Sequence, residues 1–244
     1  MVNCSGSGDS AEPFNLATPN SRCPHCGHAI RPWENIPVLS YIFLRGRCSN
    51  CHAGISLRYP TIEAVSGSLA VLLGIQLGAG AALLGALIFT WALLSLTMID
   101  YDTMLLPDSI TLPLLWLGLL FNVFGVFAPL QDAVIGAMAG YLSLWSVYWL
   151  FKLATGKEGM GYGDFKLLAA LGAWLGWQSL PMIILLSSFV GAALGLFLMW
   201  LQKRGRELPM PFGPYLAVAG WVTLVFGSEL LAWYWSALGT TPAG

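Results

Sequence analysis

Polar and apolar positions divide the chain unevenly. Residues 1–60 are largely polar and carry scattered cysteines and arginines, whereas from about residue 61 apolar runs alternate with short polar breaks. The runs cover 61–78, 79–99, 109–127, 132–153, 166–179, 181–201 and 213–236. A helix needs about 20 apolar residues to cross the hydrocarbon core, and six of the seven runs approach that length. They predict helices, because an unpaired backbone cannot face lipid. The run at 166–179 is short, which predicts a helix that tilts, thins the bilayer or stops partway. The expected fold is an all-α polytopic membrane protein with about seven transmembrane helices. Its expected division is a disordered lead-in at 1–13, a small domain at 14–60 and a membrane domain at 61–244. The opening residues are polar and rich in Ser and Gly, and no cleavable signal peptide is visible in them.

Composition agrees with this division. Of 244 residues, 57% are hydrophobic and only 9% charged, against about 25% charged in a soluble domain. Most of the chain therefore has no water-facing surface to cover. The formal net charge of -1 says little, because the placement of the charges matters more than their sum.

The basic residues predict an orientation. Arg22, Arg31, Arg45, Arg47 and Arg58 lie in the head. Lys152, Lys157 and Lys166 surround one break, and Lys203, Arg204 and Arg206 occupy another. If the head is cytoplasmic, alternating spans put the breaks near 100–108, 154–165 and 202–212 on the same side, and all eleven basic residues fall there. The breaks near 79, 128–131 and 180 hold no Lys or Arg. This satisfies the positive-inside rule and places the C-terminal tail outside. No internal repeat of the transporter kind is apparent.

Four of the five cysteines form two CxxC pairs, Cys23–Cys26 and Cys48–Cys51, while Cys4 stands alone and reads as incidental. Two residues between ligands let both thiolates turn onto one metal, so the pairs read as a structural zinc site. Two disulfides in an oxidising compartment are the alternative; the predicted cytoplasmic placement speaks against them. His25, His28 and His52 flank the pairs, but four thiolates already complete a tetrahedral site.

Carboxylates are scarce in the apolar part, and each at membrane depth costs several kcal/mol, roughly 2.5–3.5 on insertion scales. Asp108 follows Pro107 and can N-cap the next span, and Asp132 opens a span on the far side. Asp100 has no such role: it abuts Met98-Ile99 at the C-terminal end of a helix, where the macrodipole disfavours an anion. Asp102 shares that problem further into the predicted loop. Asp164 closes Gly161-Tyr162-Gly163-Asp164 ahead of an apolar run. It reads either as an N-cap or as a carboxylate held at a helix start, with glycines admitting another backbone. Two aspartates on one membrane face can share a proton, one activating water while the other donates to a carbonyl. That is aspartic-protease chemistry.

The motifs bear a specific resemblance. Phe14–Pro60, with FNLATPNSRCPHCGHAIRPWENIPVLSY and GRCSNCHAGISLRYP, is similar to the zinc domain of the bifunctional type IV prepilin peptidases. IDYDTMLLPDSITLPLLWLGLLFN and GMGYGDFKLLAALGAWLGW resemble that family's two aspartate motifs, and MPFGPYLAVAGW matches a further segment. The first motif sets its catalytic aspartate seven residues before the proline of a Leu/Ile-Pro pair, here Pro107. The resemblance thus implies Asp100 and Asp164 as the catalytic pair and Cys23, Cys26, Cys48 and Cys51 as zinc ligands. It implies cleavage of the basic leader of prepilins and pseudopilins after a glycine, at the cytoplasmic face of a bacterial inner membrane. The four-cysteine domain implies methylation of the new N-terminus with S-adenosylmethionine as donor. The implied partners are those substrates and membrane lipid, with no nucleic acid; oligomeric state is not implied. Members usually carry a further span ahead of the zinc domain, which polar residues 1–13 do not supply.

Two other classes compete on the residues alone. An ion or proton carrier would place acids near mid-span and repeat its topology. A non-catalytic, zinc-bearing subunit of a secretion machine would tolerate loss of both aspartates. No glycine-rich loop before a strand marks a methyl-donor site. Small-residue clusters at Gly78-Ala79-Gly80 and Gly191-Ala192-Ala193 predict close helix packing, the Trp and Tyr residues read as interfacial anchors and packing, and Lys166 reads as a snorkelling lysine at a span end.

Overall fold

The computed structural model describes residues 22–23, 25–157, 159–202 and 211–237. The expectations for residues 1–13, Cys4, the basic residues Lys203, Arg204 and Arg206 and the tail at 240–244 lie outside them. The helices are α1 (Leu39–Phe43), α2 (Arg58–Leu77), α3 (Ala81–Thr103), α4 (Asp108–Val123), α5 (Leu130–Thr155), α6 (Tyr162–Leu175), α7 (Leu180–Gln202) and α8 (Gly213–Ala237). The seven apolar runs correspond to α2–α8. Among the described residues, four helical stretches are long and apolar enough to cross a membrane: Arg58–Leu77, Ala81–Thr103, Leu130–Thr155 and Trp177–Leu196. Asp108–Val123 and Gly213–Gly227 are shorter apolar helices. The chain divides into two compact units, residues 1–68 and 69–244.

In the first unit two knuckles repeat one backbone pattern 25 residues apart. The Cys23 N–H donates to His28 O and the Gly27 N–H to Cys23 O; the Cys48 N–H donates to Ala53 O and the His52 N–H to Cys48 O. An antiparallel bridge closes each, Arg22 with Ala29 and Arg47 with Gly54. The turn needs a left-handed residue four positions after its first cysteine. Gly27 supplies it at φ +70 and His52 at φ +57, so the first knuckle uses the residue best suited to that region. The short helix α1 is tied to the second knuckle by the Gly46 N–H on Tyr41 O and the Ile55 N–H on Gly46 O.

The second unit is built around α6. This helix, the shortest of its bundle, buries every residue from Phe165 to Trp174 except Lys166. It packs against α5, α4, α8 and α7, while α8 also packs against α3 and α7. The expectation that the short run tilts or thins the bilayer is replaced by a simpler reason for its length. A helix enclosed by other helices is apolar all round and has no lipid thickness to match.

Close approach between α5 and α6 is set by glycines that the sequence did not single out. A Cβ at Gly136 would strike the backbone of Gly172, and one at Gly140 would lie 2.6 Å from Leu168 O, so α5 and α6 touch backbone to backbone. Gly78 and Gly80 have open space around them; they form the turn between α2 and α3, with Gly78 at φ +64. Gly191 does pack closely, with its Cβ position 3.2 Å from Tyr215.

The C-terminal end of α6 is fastened by polar bonds. Asn122 donates to Ala173 O and Trp174 O at 2.9 Å and accepts the Phe127 and Ala128 N–H groups at 3.0 Å. Trp174 donates to Leu114 O at 2.8 Å, with Phe89, Phe121 and Phe127 around its ring. The outer surface is apolar: Leu153 is 80% and Phe189 73% exposed. A shell of that kind in a charge-poor chain is a lipid-facing surface, and the protein is a multi-pass membrane protein.

Candidate active site and metal centre

Asp100 and Asp164 come together from distant parts of the second unit. Helix α3 continues to Thr103, so Asp100 and Asp102 both lie in its last turns, not in a loop. Residues two positions apart on a helix point about 200° apart. Asp100 therefore turns inward, 5% exposed, while Asp102 faces outward. Asp164 sits in the first turn of α6 and is 7% exposed.

The Asp100 carboxyl is held from the backbone. The unfavourable end of α3 at Asp100 is offset by the start of another helix: the N–H of Gly213, first residue of α8, donates to Asp100 Oδ2 at 3.0 Å. The amino end of α8 thus directs its partial positive charge at this carboxyl. The Asp164 N–H donates to Gly161 O at 3.3 Å in the first turn of α6. The residue at the N-cap of α6 is Gly161, so Asp164 is not the cap itself.

Glycine at two positions permits the assembly. A Cβ on Gly213 would lie 2.5 Å from Asp100 Oδ2 and 3.2 Å from Leu106 Cδ1. One on Gly163 would lie 2.7 Å from Leu106 Cβ. Leu106, in the turn after α3, thereby packs against both Gly163, beside Asp164, and Gly213, which holds Asp100. Next to Asp164, Phe165 is fixed edge-on by Tyr141 and Tyr148, with ring centroids 6.0 and 5.6 Å away.

The neighbouring acids have other occupations. Asp108 is the first residue of α4, whose N-cap is Pro107, so it does not cap the helix as expected. It pairs with Lys166, whose Nζ lies 2.7 Å from both carboxylate oxygens; this partner holds the lysine read from sequence as merely snorkelling. Asp132, in the first turn of α5, accepts from Trp177 Nε1 and Gln178 Nε2.

In the first unit the four cysteines converge. Their Sγ atoms all lie within 4.8 Å of one another, with Cys23–Cys51 at 3.8 Å and Cys26–Cys48 at 4.0 Å. All four are free thiols. Four sulfurs about 2.3 Å from one zinc stand roughly 3.8 Å apart at tetrahedral angles, so the cluster fits such a metal. The His28 backbone N–H lowers the Cys26 thiol below its ordinary pKa, and Asn50 Nδ2 points to the same sulfur at 3.7 Å. The Glu34 carboxyl is likewise held below its ordinary value, chiefly by the Arg31 backbone N–H.

Comparison with known proteins accounts for both halves. Residues 9–77 match the model of the bacterial peptidase A24 N-terminal domain, and residues 87–196 that of the type IV leader peptidase family. A protein of Aeromonas hydrophila called prepilin leader peptidase/N-methyltransferase is 60% identical over 91% of this chain and 77% of its own length. The chain belongs to the type IV leader peptidase family. Proteins of the same name from Stutzerimonas stutzeri and Pseudomonas aeruginosa are 60% and 58% identical, over 92% and 91% of this chain and 79% and 76% of theirs. No solved structure matches.

The stretch matched to the leader peptidase model contains both Asp100 and Asp164, and the N-terminal match contains the four cysteines. What residue-by-residue reading missed in this leader peptidase relative is the support around the aspartates. Gly213 lies 113 positions from Asp100, and Leu106 and Asn122 carry no local mark. The segment MPFGPYLAVAGW, noted for its resemblance, was the one signal that pointed to Gly213.

Proposed function

We propose that this chain cleaves the basic leader of type IV prepilins and pseudopilins after a glycine, with Asp100 and Asp164 as the catalytic pair. The observation that carries this reading is a pair of buried carboxyls, Asp100 near the end of α3 and Asp164 at the start of α6, whose surroundings meet at Leu106. Two such groups hold one proton between them. The ionised carboxylate takes a proton from the attacking water, and the protonated partner donates to the scissile carbonyl oxygen. The Gly213 N–H fixes the Asp100 oxygens in direction throughout. The buried surroundings keep bulk water from competing.

The site works at the cytoplasmic face of the inner membrane, with the first unit on the same side, as the distribution of Lys and Arg supports. The seven helices α2–α8 are its spans. Zinc held by Cys23, Cys26, Cys48 and Cys51 cross-links the two knuckles and supplies folding energy to a unit with few apolar contacts.

The second activity is methylation of the newly exposed N-terminus, S-adenosylmethionine supplying the methyl group.

The test is prepilin cleavage in liposomes by wild type, Asp100→Asn and Asp164→Asn, with mass spectrometry of the product's N-terminus. Both variants are expected to stay folded and lose cleavage. The wild-type product is expected to gain the mass of one methylene when the donor is present. Normal cleavage by either folded variant refutes the assignment at that position.

A further inference from the structure

We infer that the first unit lies on the bilayer that α2 crosses, with an apolar edge of Trp33, Ile36, Leu39, Ile42 and Phe43 set among the lipid headgroups and upper acyl chains. The inference concerns this unit alone and holds whichever residues perform the cleavage.

The edge is one face of a short helix and the turn before it. On α1, Ile42 and Phe43 stand three and four positions after Leu39, so the three share a face. The polar atoms of α1 are used inside the unit: Ser40 Oγ donates to Ile36 O at 2.8 Å and the Tyr41 hydroxyl to Ile55 O at 3.3 Å. Phe43 is 82% and Ile42 64% exposed, against 73% for Phe189 on the lipid-facing shell. Trp33, on the one-turn helix Pro32–Asn35 that packs against α1, is exposed too, as is Ile36, which closes that turn. Large apolar side chains gathered in this way mark a surface that meets lipid or a partner.

Depth selects lipid as the occupant. Helix α2 has 20 residues, a length of about 30 Å, which matches the hydrocarbon core. Its only charged residues are Arg58 and Glu63, so Glu63, about 7.5 Å from the start of the helix, stands at the boundary between headgroups and chains. The Val38 N–H, directly ahead of α1, donates to Glu63 Oε2 at 2.8 Å. That bond fastens α1 at the depth of the boundary, where an amphipathic segment buries its apolar face about 5–10 Å.

The charges beside the edge suit headgroup phosphates. Arg31 sets its guanidinium 5.6 Å from the centre of the Trp33 ring, and Arg45 and Arg47 follow α1; all three are exposed. Arginine binds phosphate in its planar fork, and tryptophan is the residue of the membrane interface. Glu34 is the one carboxylate between residues 22 and 57. It is turned inward, accepting the Arg31 N–H at 3.0 Å, and leaves the edge without a repelling anion.

The experiment uses the full zinc-loaded chain in vesicles of phosphatidylethanolamine and phosphatidylglycerol. A small fraction of the lipid carries a photoactivatable diazirine near the top of one acyl chain, and mass spectrometry locates the adducts. Label between residues 33 and 43 is expected at a yield within about threefold of that around Phe189. Replacing Ile42 and Phe43 together by Asp is expected to lower it about tenfold, and the milder Phe43→Ser about threefold, with label around Phe189 unchanged. Zinc content reports that the unit is still folded in each variant. Background label between residues 33 and 43 in the wild type, with Phe189 labelled, overturns the inference. Wild-type label in a variant that keeps its zinc overturns it as well. Cross-links from these residues to a second copy of the chain, in place of lipid, also overturn it and assign the edge to self-association.

Discussion

Replacing Gly213 by alanine adds one methyl group beside the proposed catalytic pair. Its Cβ would stand 2.5 Å from Asp100 Oδ2, where ordinary contact begins at 3.4 Å, so the two must separate by the difference, 0.9 Å. Retreat past Leu106 is obstructed, because the same Cβ is 3.2 Å from Leu106 Cδ1. Moving Oδ2 that far also breaks its 3.0 Å bond to the Gly213 N–H. Displacement of a reacting group by about 1 Å costs on the order of 100-fold in rate, equivalent to about 2.7 kcal/mol of barrier. The assay is the initial rate of prepilin cleavage in liposomes at saturating substrate, with helix content followed by circular dichroism. Gly161→Ala is the matched control: its Cβ would meet nothing nearer than Asp164 Oδ2 at 3.9 Å, and its φ of -81 suits any residue. Its rate is expected to stay within about threefold of wild type. A folded Gly213→Ala protein as fast as that control would refute the view that the amino end of α8 positions Asp100.

Other outcomes follow from the same structure. Metal analysis is expected to find one zinc per chain and its loss in Cys26→Ser and Cys48→Ser; full zinc content in either would exclude the four-thiolate site. Asn122→Ala strips the Phe127 and Ala128 N–H groups of their acceptor and is expected to cost about 2 kcal/mol, read as a lower thermal midpoint in detergent. The Asp108–Lys166 pair is partly solvated, at 54% and 28% side-chain exposure. A double-mutant cycle there is expected to give less than about 1 kcal/mol of coupling, and a larger value would point to a role beyond the surface.

Legibility of the chain follows the range of each interaction. The run lengths predicted seven helices in order, and α2–α8 fall where the runs do, because the need to satisfy backbone bonds in lipid acts on each segment separately. The two CxxC pairs were equally legible, since a knuckle is closed by residues within six positions of its first cysteine. The resemblance singled out Asp100 and Asp164 as a pair to consider. Composition showed that most of the chain has no water-facing surface to cover.

What surrounds those residues depended on contacts between segments far apart in the chain. Whether Asp100 or Asp102 faces inward is a matter of helical phase against neighbours, and the predicted loop gave no phase to read. The donor that compensates Asp100 comes from Gly213, across 113 positions. Nothing in a short run of the sequence ties Leu106 to Gly163 and Gly213, or distinguishes Gly136 and Gly172, where backbones meet, from Gly78 and Gly80, which only turn the chain. The shortness of 166–179 suggested a strained span, yet α6 is the enclosed centre of its unit. The sequence by itself determined which segments are helices and where the two CxxC pairs lie, because backbone satisfaction and ligand spacing are local. Only the tertiary structure decided which faces meet, because packing is settled by side chains and glycines brought together from opposite ends of the bundle.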